Sequence, residues 1–171
     1  KFPGLIHNYS TNGTYPGNIP GFDPASVQNL GWTSDTLVTN ATGKNVALLG
    51  GTLATPVLTN QAGGNVKGFG TLTGDLVNAG MVEFYGPTNI IGGLTNESGG
   101  TLLVKNDQTL ITGHTVNNGT IKTLQGKVIF EGGLTNNGAY LSDPSENYFT
   151  DLVVNQSGYL VVEVGDKVLI S

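Results

Sequence analysis

Few residues in this chain are of a type and spacing that could do chemistry. Asp143, Glu146 and Asp151 fall together in the run Asp-Pro-Ser-Glu-Asn-Tyr-Phe-Thr-Asp. Paired carboxylates can act as the acid and base of glycoside hydrolysis. With backbone carbonyls they can hold calcium. The run is short and sits between strand-like segments, so it reads as a solvated acidic turn, with calcium as the alternative. The two imidazoles, His7 and His114, have no serine or carboxylate at motif spacing. No Gly-x-Ser-x-Gly elbow occurs. Gly68-Phe69-Gly70 lacks the third glycine of a dinucleotide loop and reads as a turn. The chain is therefore expected not to be an enzyme and to use no cofactor or metal.

Composition narrows the partners. Charged residues make up only 11% of the 171 residues, the net charge is −5, and all seven basic residues are lysines. Phosphate recognition favours a basic face with bidentate arginines, so no nucleic-acid partner is expected. No apolar run reaches the length of a membrane-spanning helix. The absence of cysteine rules out a disulfide framework and thiolate metal sites. The low charge and the abundance of Gly, Asn and Thr favour a secreted protein, extracellular or at the cell surface.

What organises the chain is a repeated phrase. It reads Leu58-Thr59-Asn60, Leu94-Thr95-Asn96 and Leu134-Thr135-Asn136, with variants Val38-Thr39-Asn40, Leu76-Val77-Asn78, Thr115-Val116-Asn117 and Val153-Val154-Asn155. The asparagines Asn40, Asn60, Asn78, Asn96, Asn117, Asn136 and Asn155 recur about every 19 residues. Each phrase leads through a glycine to a β-branched run such as Met81-Val82-Glu83-Phe84 or Thr101-Leu102-Leu103-Val104. A second such run follows, such as Thr71-Leu72-Thr73 or Lys127-Val128-Ile129-Phe130. A sandwich has no reason to return to one phrase at a fixed interval, whereas a solenoid must.

Residues 37–171 are thus expected to form an all-β, single-stranded parallel β-solenoid (β-helix) of about seven rungs. At about 4.8 Å per rung this makes a rod of roughly 34 Å. Leu58, Leu76, Leu94 and Leu134 should point inward, as should Val46, Val82, Leu102, Ile121, Tyr140 and Leu160. The asparagines should stack at one corner and bond from rung to rung, with Asn155 as the seventh. Asn tolerates left-handed backbone, and the following glycine is expected to supply a positive φ.

Residues 1–36 lack the repeat. Pro3, Pro16, Pro20 and Pro24 exclude regular structure, yet Phe2, Tyr9, Tyr15, Phe22 and Trp32 are too apolar for a solvated linker. This segment reads as an irregular arm, with one short helical turn over residues 25–30.

The Leu-x-Asn-x-Gly-x-(Leu/Ile) pattern is carried by Leu76-Asn78-Gly80-Val82, Thr115-Asn117-Gly119-Ile121 and Leu134-Asn136-Gly138-Tyr140. It resembles the β-helical repeats of filamentous-haemagglutinin-type exoproteins and, more loosely, autotransporter passengers. That resemblance implies a bacterial surface solenoid working in adhesion, biofilm cohesion or as a stalk.

The last residues, Lys167 to Ser171, match the end of a rung, so an open parallel edge is expected there unless the chain continues or a neighbour covers it. The leading expectation is a subunit that stacks end to end with itself into a filament or matrix fibre. The arm would dock through Phe2, Ile6, Tyr9, Tyr15 and Phe22, and Val168, Leu169 and Ile170 would lie at the junction. An adhesin face that binds surface glycans is the alternative, and a carbohydrate-active enzyme comes third. Only Thr71-Leu72-Thr73 shows the Thr-x-Thr pattern of ice-binding solenoids. Among the Asn-x-Ser/Thr sites, Asn8 and Asn12 are the expected glycan carriers, because Asn40, Asn96 and Asn155 are read as packed at the corner.

Overall fold

The computed structural model describes residues 31–171. Every one of their strand pairings is parallel, and together they form one continuous wound sheet. The chain is a β-solenoid with coils of about 19 residues, as the repeat requires.

Three faces close each coil. The first carries Asn45, Asn65, Met81, Thr101, Thr120, Ala139 and Tyr159 as successive strand starts, one above another. The second stacks Leu53, Leu72 and Ile90, and then Ile111, Phe130, Phe149 and Ile170. The third is the recurring phrase itself, with Val38, Leu58, Leu76, Leu94, Thr115, Leu134 and Leu152 in register. From Leu94 onward the strands on this face are only three residues long, and Leu94–Asn96 and Leu134–Asn136 show a buried–intermediate–buried pattern.

Alternation along each strand builds the core. Val46, Val82, Leu102, Ile121 and Tyr140 point inward and are buried, as are Leu58, Leu76, Leu94 and Leu134. Leu160, in the last coil, packs against this column but is only half-buried. Burying a Val, Leu or Ile side chain stabilises by about 1.5–3 kcal/mol, and like stacks on like through the rod.

Two details depart from the sequence reading. Gly68-Phe69-Gly70 is not a turn between strands but a register shift inside the element Asn65–Asn78. Gly68 occupies the inward column between Leu48 and Phe84, and a Cβ there would lie 1.7 Å from the Leu48 carbonyl oxygen. The strand Gly31–Thr33, within the segment read as arm, already stacks on Thr52–Ala54 as part of a coil. The helical turn expected over 25–30 and the arm residues Phe2, Ile6, Tyr9, Tyr15 and Phe22 lie outside the described residues.

Candidate functional site

The asparagine ladder forms as a chain of side-chain amides with one polarity. Asn40 Nδ2 donates to Asn60 Oδ1 at 2.7 Å, and the same bond recurs from Asn60 to Asn78, Asn78 to Asn96, Asn96 to Asn117 and Asn117 to Asn136, all at 2.7–2.8 Å. Each amide also donates to main chain of the next coil, as Asn60 does to Met81 O and Asn96 to Thr120 O. All these asparagines are buried. They end strands and point inward, and none has the left-handed backbone expected of a corner asparagine.

Asn155 does not join the ladder. Asn136 pairs in register with Val154, so an apolar residue holds the seventh position. Asn155 lies one step further along, exposed, and donates to Asn137 Oδ1 at 2.6 Å. Asn137 in turn donates to Asn118 Oδ1 at 2.8 Å, giving a short outer ladder that the phrase did not announce. Of the Asn-x-Ser/Thr sites, Asn40 and Asn96 are buried as expected, whereas Asn155 is exposed.

The glycine after the ladder has a different purpose from the one expected. Gly80, Gly119 and Gly138 do not have positive φ. They stand where adjacent coils approach too closely for a Cβ. A Cβ on Gly138 would lie 2.1 Å from Gly119 O, and one on Gly119 would lie 2.3 Å from Gly100 O. Positive φ at this corner is confined to the longer turns, at Gly43, Gly63 and Gly99.

The acidic run is dispersed. Asp143 ends a strand on the first face, Glu146 begins one on the second, and Asp151 lies in the turn before the third. No group of three His, Cys, Asp or Glu able to hold a metal occurs among the described residues. Glu146 instead accepts from Tyr148 Oη at 2.9 Å and faces Lys167 at 3.8 Å. Lys127 and Lys167 both lie over the Tyr148 ring. His114 contacts Gly132 O and Thr135 Oγ1, each at 3.0 Å, at the surface.

The aromatic side chains do not make one outward row. Phe84, Phe130, Tyr140 and Phe149 are buried, and Phe69 with Tyr85 form an isolated edge-to-face pair. The outward row on the third face is Thr39, Thr59, Val77, Thr95, Val116, Thr135 and Val153, one residue wide.

One feature was not legible as a site: a buried polar cluster in the C-terminal coils, made of Thr123, Tyr140, Ser142, Ser145 and Asn147. Tyr140 Oη donates to Asn147 Oδ1 at 2.6 Å, and Asn147 Nδ2 donates to Ser142 Oγ at 2.8 Å. Asp166 closes the cluster from outside, its Oδ1 accepting from Ser142 Oγ at 2.6 Å and from Ser145 N at 2.7 Å. Partial burial pushes the Asp166 carboxyl up, but hydrogen bonds from Ser142, Glu163 N and Ser145 outweigh it and hold the group below its ordinary range. Burial pushes the Tyr140 hydroxyl well up, so it stays a neutral donor.

In the last described coil, where the junction residues were expected, the strands Leu152–Val154, Tyr159–Val161 and Lys167–Ile170 pair with the coil below. Val154 is 44% exposed and Ile170 60%, against 1% for Asn136 and Phe149, their register partners one coil below. Val168, named with Leu169 and Ile170 for the junction, is half-buried, and Leu169 is exposed.

No family model matches this chain, and no curated protein or solved structure shows significant similarity to it. No helix among the described residues is long and apolar enough to cross a membrane.

Proposed function

We propose that this chain is a structural, non-catalytic solenoid of the extracellular space that works by stacking on itself, end to end, into a filament or matrix fibre. One observation supports the reading: the coils stack by parallel, in-register pairing of like on like, as with Leu58 on Leu76 and Asn60 on Asn78, so a coil of a second copy can meet the same pairing. The partner is a second copy, because its coils share the three-faced cross-section and the spacing of strands along the rod. The arm at residues 1–36 is the proposed joint, through Phe2, Ile6, Tyr9, Tyr15 and Phe22. The scarcity of charge and the absence of arginine support a matrix or surface setting rather than a nucleic-acid partner.

Sedimentation across a wide concentration range tests the proposal. The chain should grow in mass with concentration. Deleting residues 1–22, or placing lysine at Val154 and Ile170, should hold it monomeric. A chain that stays monomeric throughout, or a deletion and a double variant that both assemble as the parent does, would sink the idea.

A further inference from the structure

The interior of the C-terminal coils changes character in a way that neither stacking nor stability alone calls for. Thr123 and Ser142 stand in the inward column occupied by Leu48, Phe84 and Val104 lower in the rod. Asn147 stands in the column above Thr88, Thr109 and Val128. A fully apolar core would cost less to bury than this cluster.

The arrangement within the cluster is directional. Thr123 Oγ1 lies 3.1 Å from Asn147 Oδ1. The same hydroxyl lies 2.7 Å from Ser145 Oγ, and Ser145 Oγ lies 2.8 Å from Ser142 Oγ. Ser142 Oγ touches both the Asn147 nitrogen, at 2.8 Å, and the Asp166 carboxylate, at 2.6 Å. The carbonyl of Lys167, 3.5 Å from that nitrogen, agrees with this orientation of the amide. A hydroxyl, an amide carbonyl with a neutral donor on its oxygen, and a chain of hydroxyls leading to the amide nitrogen therefore meet in a site closed to water.

We infer that Thr123 and Asn147 become joined by an intramolecular ester. Thr123 Oγ1 attacks Asn147 Cγ and forms the C–O bond. The Tyr140 hydroxyl, 2.6 Å from Oδ1, stabilises the charge that gathers on that oxygen. The Thr123 proton passes through Ser145 to Ser142, drawn by the Asp166 carboxylate, and returns from Ser142 to the nitrogen as the C–N bond breaks. One ammonia leaves, and atoms and charge balance with no oxidant, metal or cofactor. Tyr140 is a catalytic residue in this scheme. Asp166 is a positioning residue that acts through Ser142. Burial of Thr123, Tyr140 and Asn147 shields the ester from hydrolysis. The bond staples side chains 24 residues apart in neighbouring coils, which suits a rod that carries load. It does not depend on end-to-end stacking.

Intact mass measured on the denatured full chain tests this directly. The expected result is a mass one ammonia below that of the sequence, a linked peptide holding Thr123 and Asn147, and opening of the link by hydroxylamine. Thr123→Val should show the full sequence mass with an unchanged β-sheet spectrum. Tyr140→Phe should form the link on the order of 10²-fold more slowly. Asp166→Asn should flatten the fall in linking rate at acid pH, which a purely structural role would not do. A parent chain at full sequence mass overturns the inference. So does the same ammonia loss in Thr123→Val, which would place the loss at an Asn-Gly pair such as Asn118-Gly119.

Discussion

The central coils and the C-terminal coils solve the same packing problem differently. Around Asn78 and Asn96 the interior is mostly apolar with isolated buried threonines, and its connected polar content is a ladder in which each buried amide meets the same kinds of partner as the one below. From Thr123 onward the ladder runs out at Val154, while hydroxyls, an off-ladder amide and the aromatic group Phe130, Tyr140 and Phe149 fill the core. A repeated polar device is satisfied by translation, so any coil can carry it. A non-repeating one must be satisfied by particular neighbours, so it fixes where in the rod it can occur. The lower coils are interchangeable in design, and the upper ones are specified.

The largest effect should come from breaking translation in the middle of the ladder. Asn96→Ala leaves the Asn78 donor and the Asn117 acceptor without their ladder partner inside the core. Asn78 keeps its main-chain acceptors and Asn117 keeps the Gly119 amide, so the loss is two buried ladder bonds and the cavity the amide leaves, together about 2–4 kcal/mol in denaturant unfolding. A loss under about 1 kcal/mol would mean that the main-chain contacts, and not the ladder, hold the coils.

The specified end should instead be sensitive to pH. The Asp166 pKa is depressed in the folded chain, so its contribution is present above the unfolded value of 3.8 and is lost as pH falls through the lower folded value. Hydrogen exchange at the Ser145 and Glu163 amides, both of which donate to Asp166, should quicken in acid before exchange in the ladder coils does. Asp166→Asn should cost about 1–2 kcal/mol locally and abolish that difference. Equal acid sensitivity in both regions would contradict the contrast.

Two smaller changes probe defects in the pattern. Thr115 takes a leucine position in the third face, and its buried hydroxyl has no partner. Thr115→Val keeps the shape and should stabilise by about 1 kcal/mol in thermal unfolding. Gln125 holds a left-handed backbone at φ 54° without being glycine. Gln125→Gly should be neutral or stabilising by up to about 1 kcal/mol, because the steric cost at that position disappears.

The sequence announced the coil because its period is imposed by stacking, and stacking repeats types as well as spacing. The inward leucines and the first ladder asparagines were readable for that reason. Asn155 was misplaced because the phrase was matched on type alone. From ladder position to next strand the chain takes five steps at Asn40–Asn45, Asn60–Asn65 and Asn96–Thr101, and three at Asn78–Met81, Asn117–Thr120 and Asn136–Ala139. Asn155 to Tyr159 is four steps, whereas Val154 to Tyr159 is five, so the corner length held the signal. The buried polar cluster carried no such signal. Alternation from Ile121 and Tyr140 turns Thr123 and Ser142 inward, but only the register shows that they meet Asn147 there. The acidic run, read by proximity in sequence, came apart because two corners separate its members.

Electron microscopy of the purified chain tests the proposal of self-stacking most directly. The account predicts rods longer than the roughly 34 Å of a single solenoid, lengthening as concentration rises and shortening to single units when Val154 and Ile170 carry lysine. Uniform single particles of one solenoid's length at every concentration would contradict it.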